Sequence, residues 1–206
     1  MRGECIRPAS SLVDVSREQL EKRFADFRAE TTHHAAMKEA AIQFCLAMAG
    51  NRTPYSLSLL GPSGTGKTML TRIITRFFKD WICDRKRDPG LTDGIWRCKG
   101  GFVSWGRALS EMLDTGDYAR LAAYRGDFYI ALDDIAAEHS KTRELSASKL
   151  FDVLNARLAR RWTVITANCD LAGIDRMLDP RISSRLVRDG NVCITLPKET
   201  PDYSLQ

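Results

Sequence analysis

The 206-residue chain reads as a three-layer α/β sandwich, a parallel sheet covered by helices on both faces. Short apolar runs, YSLSLL (55–60), FYIALDD (128–134), TVITAN (163–168) and NVCITL (191–196), have the length of buried strands and alternate with longer helical patterns. The first run leads into GPSGTGKT (61–68), which satisfies the phosphate-loop pattern G-x-x-x-x-G-K-[ST]. Several apolar segments end in a residue useful to a bound nucleotide, at the carboxyl ends of strands where open α/β sheets gather ligands.

Taken in order, the first dozen or so residues read as an unstructured lead. Ser16 followed by Gln19 is a capping box that opens a short polar helix through about Phe24. A stronger helix runs over about 33–48, capped by Thr31 or Thr32 and closed by Gly50. His33 and His34, in its first turn, read as solvated surface histidines. After the first strand and the loop, MLTRIITRFF (69–78) is the helix whose N-terminal dipole faces the phosphates. The charged segment 84–94, broken by Pro89 and Gly90, reads as exposed connection. GFVSW (101–105) reads as a strand, followed by helices over about 106–113 and 117–124. Trp96 and Trp105 are interleaved with Arg97, Lys99 and Arg107. That mixture serves either core packing with incidental charge or a surface that stacks and neutralises single-stranded nucleic acid. Residues 145–158 carry Leu150, Phe151, Leu154 and Leu158 on one helical face.

Composition narrows the class. The length suits one well-buried domain rather than two. A formal net charge of +5, from 31 Lys and Arg against 26 Asp and Glu, is compatible with an anionic partner such as nucleic acid or with a solvated basic surface. The six cysteines form no C-x-x-C pair, so neither a zinc site nor a disulfide framework is indicated. Without a signal-peptide core or an apolar membrane span, the expected setting is cytoplasmic, with no membrane partner.

The site reads from the loop outward. Gly61, Pro62, Ser63, Gly64, Thr65, Gly66, Lys67, Thr68 and Met69 form the nucleotide-binding set. Glycines let the backbone turn its N–H groups inward on a phosphate, Lys67 places a cation on the β- and γ-phosphates, and the Thr68 hydroxyl ligates Mg²⁺. Asp133, ending an apolar strand, is placed to hold that Mg²⁺, and Asp134 to orient or deprotonate an attacking water. Asn168 reads either as a turn former or as an amide reaching the γ-phosphate or that water. Arg181 and Arg185, four apart in DPRISSRL (179–186), share a helical face. They can salt-bridge locally or reach a neighbouring subunit's phosphate as an arginine finger.

This ordered set (GPSGTGKT, a strand ending Asp-Asp, VITAN, DPRISSRL) resembles an AAA+ ATPase, and within that superfamily the DnaC/DnaI helicase loaders and the IstB transposition helpers. The similarity runs over 23–197. It implies a P-loop NTPase (AAA+) core at 25–197, an N-terminal extension at 1–24 that contacts a partner, and a tail at 198–206. It also implies ATP and Mg²⁺ as cofactors, Asp133 and Asp134 as the Walker-B pair, Asn168 as sensor 1 and Arg185 as a finger acting in trans. The segment RFADF (23–27) is similar to the one that borders the adenine. Two departures accompany it: no C-terminal helical lid with its sensor-2 arginine, as in those loaders, and too few leading residues for their separate helicase-binding domain. The expected activity is ATP hydrolysis, slow and stimulated by assembly or DNA. The expected partners are a replicative helicase or a transposase, DNA (single-stranded for the first, duplex for the second) and further copies of the chain. A small-molecule kinase is the rival outside the superfamily, set back by the absence of an arginine-rich lid insertion. A protein that holds ATP only as a structural ligand is another.

Overall fold

The computed structural model describes residues 15–83, 99–137, 142–157, 161–188 and 190–203. Among these, α1 (Arg17–Arg23) and α2 (Thr32–Ala49) precede β1 (Ser56–Leu60), and α3 (Lys67–Phe77) passes into a π-helical stretch at Phe78–Cys83. Then come β2 (Gly100–Ser104), α4 (Trp105–Thr115), α5 (Arg120–Gly126), β3 (Tyr129–Asp133), α6 (Arg143–Arg157), β4 (Trp162–Ala167), α7 (Leu171–Met177), α8 (Pro180–Leu186) and β5 (Asn191–Thr195). The sheet is five-stranded in the order β2-β3-β4-β1-β5, and every pairing is parallel. This is the α/β architecture expected from the apolar runs.

The strands are central or peripheral as their composition dictates. β1, β3 and β4 are buried along their whole length, whereas the edge strands β2 and β5 are half-buried. Alternation of side chains divides each central strand between two cores. Tyr129, Ala131, Trp162 and Val164 face the cluster built with α1, α2 and α3, while Ile130, Leu132, Ile165 and Ala167 face the cluster built with α4, α6, α7 and α8. Leu20, Phe24 and Phe27 belong to the first cluster, so the opening helix packs on the body of the protein.

Local chemistry sets the boundaries. The Ser16–Gln19 capping box is formed as read, and the Thr31 hydroxyl caps α2 by accepting the His34 N–H. α3 starts two residues earlier than its apolar pattern, because Gly66 takes a left-handed conformation (φ 84°) that turns the chain into helix at Lys67. The helix read over 117–124 starts later, at Arg120, because the Asp117 carboxylate accepts the Ala119 N–H in a turn. α7 was not read at all; Asp170 caps it by accepting the Gly173 N–H. The connection 84–94, the leading residues, Trp96, Arg97 and Leu158 lie outside the described residues.

One side-chain reading changes and another is decided. His34 is fully buried rather than solvated, set edge-on against the stacked rings of Phe27 and Tyr203, whose centroids are 4.9 Å apart. Trp105 is also fully buried, its indole N–H donating to Ser146 Oγ at 2.8 Å. Of the two readings of the tryptophan-arginine cluster, core packing holds for Trp105. Arg107 lies on the surface and shares Glu111 with Arg120.

Candidate functional site

The parallel register brings the expected residues to one edge of the sheet. Leu60 at the end of β1 lies beside Ala167 at the end of β4, and Leu132 of β3 lies beside Ile165. The next residues outward are therefore the loop, Asp133 and Asn168. The Gly61 N–H donates to the Cys169 carbonyl at 3.1 Å, fastening the start of the loop to the segment beyond β4.

The loop is shaped by glycines where nothing larger fits. Gly64 and Gly66 have φ of 78° and 84°, and a Cβ on Gly66 would come within 2.7 Å of the Phe27 ring. A second clasp comes from the far end of the described chain. The Tyr203 N–H donates to the Gly64 carbonyl at 2.7 Å, and the Tyr203 hydroxyl accepts from the Arg28 N–H. Lys67 is buried, and its ammonium donates to the carbonyls of Gly61 and Pro62 and to Thr65 Oγ1. Burial pulls its pKa down, while Asp134 and Asp133 pull it up.

Thr68 and Asp133 meet directly. The Thr68 hydroxyl donates to Asp133 Oδ1 at 3.0 Å, with Oδ2 at 3.3 Å, leaving its lone pairs for a ligand. A hydroxyl oxygen beside a carboxylate, all hard oxygen donors, is the set a Mg²⁺ ion takes alongside phosphate oxygens. The residues present thus fit the cation.

Asp134 is held apart from Asp133 by the backbone. Its φ of 57° is left-handed, a conformation Asp tolerates better than most residues. Asn168 Nδ2 donates to Asp134 Oδ1 at 2.7 Å, so the two residues read as water-handling groups form a pair. The Cys169 thiol next to them is pushed up to about 11 by burial and stays protonated at neutral pH.

Arg181 and Arg185 stand in another group, on α8. Both guanidinium carbons lie 4.6 Å from the centroid of the Phe151 ring, which bears out their common face. Arg181 pairs with its own N-cap, Asp179, at 2.8 Å, while Arg185 is half-buried.

Sequence reasoning passed over Thr166. Its hydroxyl donates to Asp133 Oδ1 at 2.7 Å and accepts the Asp134 N–H at 2.8 Å, so it touches both acids. The available signal was a threonine inside a mostly apolar strand, two positions before Asn168.

Fold and site together define a parallel α/β domain that carries a phosphate-loop sequence and two acids at the carboxyl ends of its strands. No protein-family model matches the chain, and no curated protein is detectably similar to it. Solved structures are similar in fold. DnaI matches at 22% identity over 89% of this chain and 93% of its own, with a TM-score of 0.58. The DnaC helicase loader matches at 15% identity over 84% of this chain and 94% of its own, with a TM-score of 0.56. The replication initiator DnaA, bound to AMPPCP and single-stranded DNA, matches at 19% identity over 87% of this chain, with a TM-score of 0.61. The chain spans about half the length of that DnaA structure, 51%. The resemblance to the DnaC/DnaI AAA+ domains read from the motifs therefore holds at the level of fold. Among the described residues, no helix is long and apolar enough to cross a membrane.

Proposed function

We propose that the protein is an ATP-hydrolysing switch of the replicative helicase-loader kind, which binds ATP with Mg²⁺, engages DNA and assembles with further copies of itself. The observation that carries the reading is the junction at the sheet edge. Thr68 of the phosphate loop lies 3.0 Å from Asp133, and Asn168 lies 2.7 Å from Asp134. Lys67 exchanges its loop carbonyls for phosphate oxygens when nucleotide enters, and the loop N–H groups take the remaining phosphate charge. Thr68 and Asp133 would hold the Mg²⁺, which would supply positive charge against the charge that develops on the phosphates. Asp134, oriented by Asn168, accepts the proton of the attacking water. Arg185 completes the site of a neighbouring copy. The likeness of the fold to DnaI, to the DnaC helicase loader and to a DnaA structure bound to AMPPCP and single-stranded DNA supports a setting in DNA replication.

The test is ATP turnover with Mg²⁺ against a Lys67→Ala control, followed by capture on a replicative helicase and on a transposase. Turnover lost in the control and selective capture on the helicase are expected. Turnover equal to the control overturns the enzymatic reading, and selective capture on the transposase replaces the helicase with the IstB-like partner. Single-stranded DNA affinity must fall steeply with salt if lysines and arginines contact phosphates.

A further inference from the structure

We propose that Thr166 is a positioning residue that couples the metal-side acid, Asp133, to the water-side acid, Asp134, through a single hydroxyl. The inference rests on the ATPase reading above and assigns a role to a residue outside the phosphate loop and the acid pair.

Thr166 is 1% exposed and lies in β4 across from Asp133, one step beyond the Leu132–Ile165 pair. Parallel register puts the two side chains on the same face of the sheet. A threonine hydroxyl has one proton to give. The Asp134 N–H can only donate, so at 2.8 Å it occupies a lone pair of Thr166 Oγ1. The Thr166 proton then goes to Asp133 Oδ1, at 2.7 Å. The same oxygen receives the Thr68 hydroxyl at 3.0 Å, whereas Oδ2 has Thr68 at 3.3 Å. Two hydroxyls thus fix Oδ1, and the rotation of the carboxylate is set so that Oδ2 is the oxygen left for the cation or its water.

The other half of the coupling is backbone. Asp134 has a left-handed φ of 57°, which contacts with its surroundings help to hold. Thr166 supplies two of the contacts there, through its hydroxyl to the Asp134 N–H and its carbonyl to the Ile135 N–H at 2.9 Å. In that conformation the Asp134 carboxylate accepts from Asn168 Nδ2 at 2.7 Å. Loss of the hydroxyl frees the Asp133 carboxylate to rotate and loosens the Asp134 peptide at the same time.

The experiment compares the full chain with Thr166→Val, which keeps the β-branched shape, and Thr166→Ser, which keeps the hydroxyl. Three quantities are measured: affinity for a fluorescent ADP analogue without Mg²⁺, the Mg²⁺ concentration that half-maximally tightens it, and kcat and KM for ATP. In Thr166→Val, metal-free affinity stays within about twofold. The half-maximal Mg²⁺ concentration rises, and kcat falls, by about tenfold or more, the range seen when a group orienting a metal ligand is removed. Thr166→Ser restores both to within about threefold. A valine variant with wild-type Mg²⁺ dependence, or a serine variant that fails to recover, overturns the coupling. Should the valine variant fail to fold by thermal melting, Thr166→Ala, which also removes the hydroxyl, is judged on the same readouts. A wild-type chain with neither Mg²⁺-tightened nucleotide binding nor turnover ends the ATPase reading itself, and the coupling with it.

Discussion

Arg157 gives the most demanding test of how the site is supported from below. Its guanidinium closes the C-terminal end of α6 and is fully buried. Nη1 donates to the carbonyls of Tyr124 and Asp127 at 2.7 and 2.8 Å, Nη2 to the Trp162 carbonyl at 2.8 Å, and Nε to Thr163 Oγ1 at 3.1 Å. One side chain thus ties α5, α6 and the start of β4. Burial works against the charge, pushing its pKa down to about 9, so the four hydrogen bonds offset a desolvation cost. Replacement by Met keeps the length and removes every donor. The Trp162 carbonyl is left in a dry position at a cost of about 2 kcal/mol, and those of Tyr124 and Asp127, closer to solvent, at about 1 kcal/mol each. Relief of the buried charge returns about 1 kcal/mol, for a net loss of about 3 kcal/mol. At about 2–4 °C per kcal/mol for a chain of this length, Tm falls by about 6–12 °C. Urea unfolding followed by tryptophan fluorescence measures the loss, with the slope m unchanged. A loss below about 0.5 kcal/mol would show that water replaces the guanidinium freely and would refute the reasoning, and Arg157→Lys, which keeps the charge without the fork, should lie between the two.

Three further outcomes are expected. Burial lowers the His34 pKa from 6.5, against the weaker pull of Glu30, so the unfolded chain takes up the proton first as pH falls. Stability from this group is full above about pH 6.5 and declines below it, by at most about 1.4 kcal/mol per pH unit, until the folded form titrates too; the wild-type-minus-His34→Phe difference in urea midpoints from pH 8 to 5 should show that decline. Asn168→Ala removes the amide from Asp134, lowering kcat about 10²-fold while ATP affinity stays within about twofold; unchanged kcat in single-turnover assays would contradict the pairing. Arg185→Ala leaves ATP binding intact and lowers turnover about 10³-fold at protein concentrations where copies associate; equal turnover per site at every concentration would remove the trans finger.

The phosphate loop and the acids were legible because their signals are local. Fixed spacing marks the loop, and a carboxylate or amide after an apolar run marks a strand end. Helix α2 was legible through its caps for the same reason. What escaped depends on neighbours remote in sequence. His34 looks solvated at the first turn of a polar-sided helix until Phe27 and Tyr203 close over it. Arg157 reads as an ordinary charged helix end because its acceptors are main-chain carbonyls, which no side-chain pattern advertises. Thr166 blends into a β-branched strand, and only the register with β3 shows that its hydroxyl faces Asp133. Trp105, two residues before the exposed Arg107, turns inward because α4 begins there.

The clasp on the phosphate loop has a consequence for the order in which the protein becomes competent. Phe27 lies against Gly66, but Tyr203, which stacks on Phe27 and bonds to the Gly64 carbonyl, emerges last of all the described residues. A chain leaving the ribosome displays the whole GPSGTGKT motif long before the ring that braces it exists. Until then β1 also lacks its neighbour β5. Having the motif and having the site are separate events during synthesis, divided by most of the length of the chain.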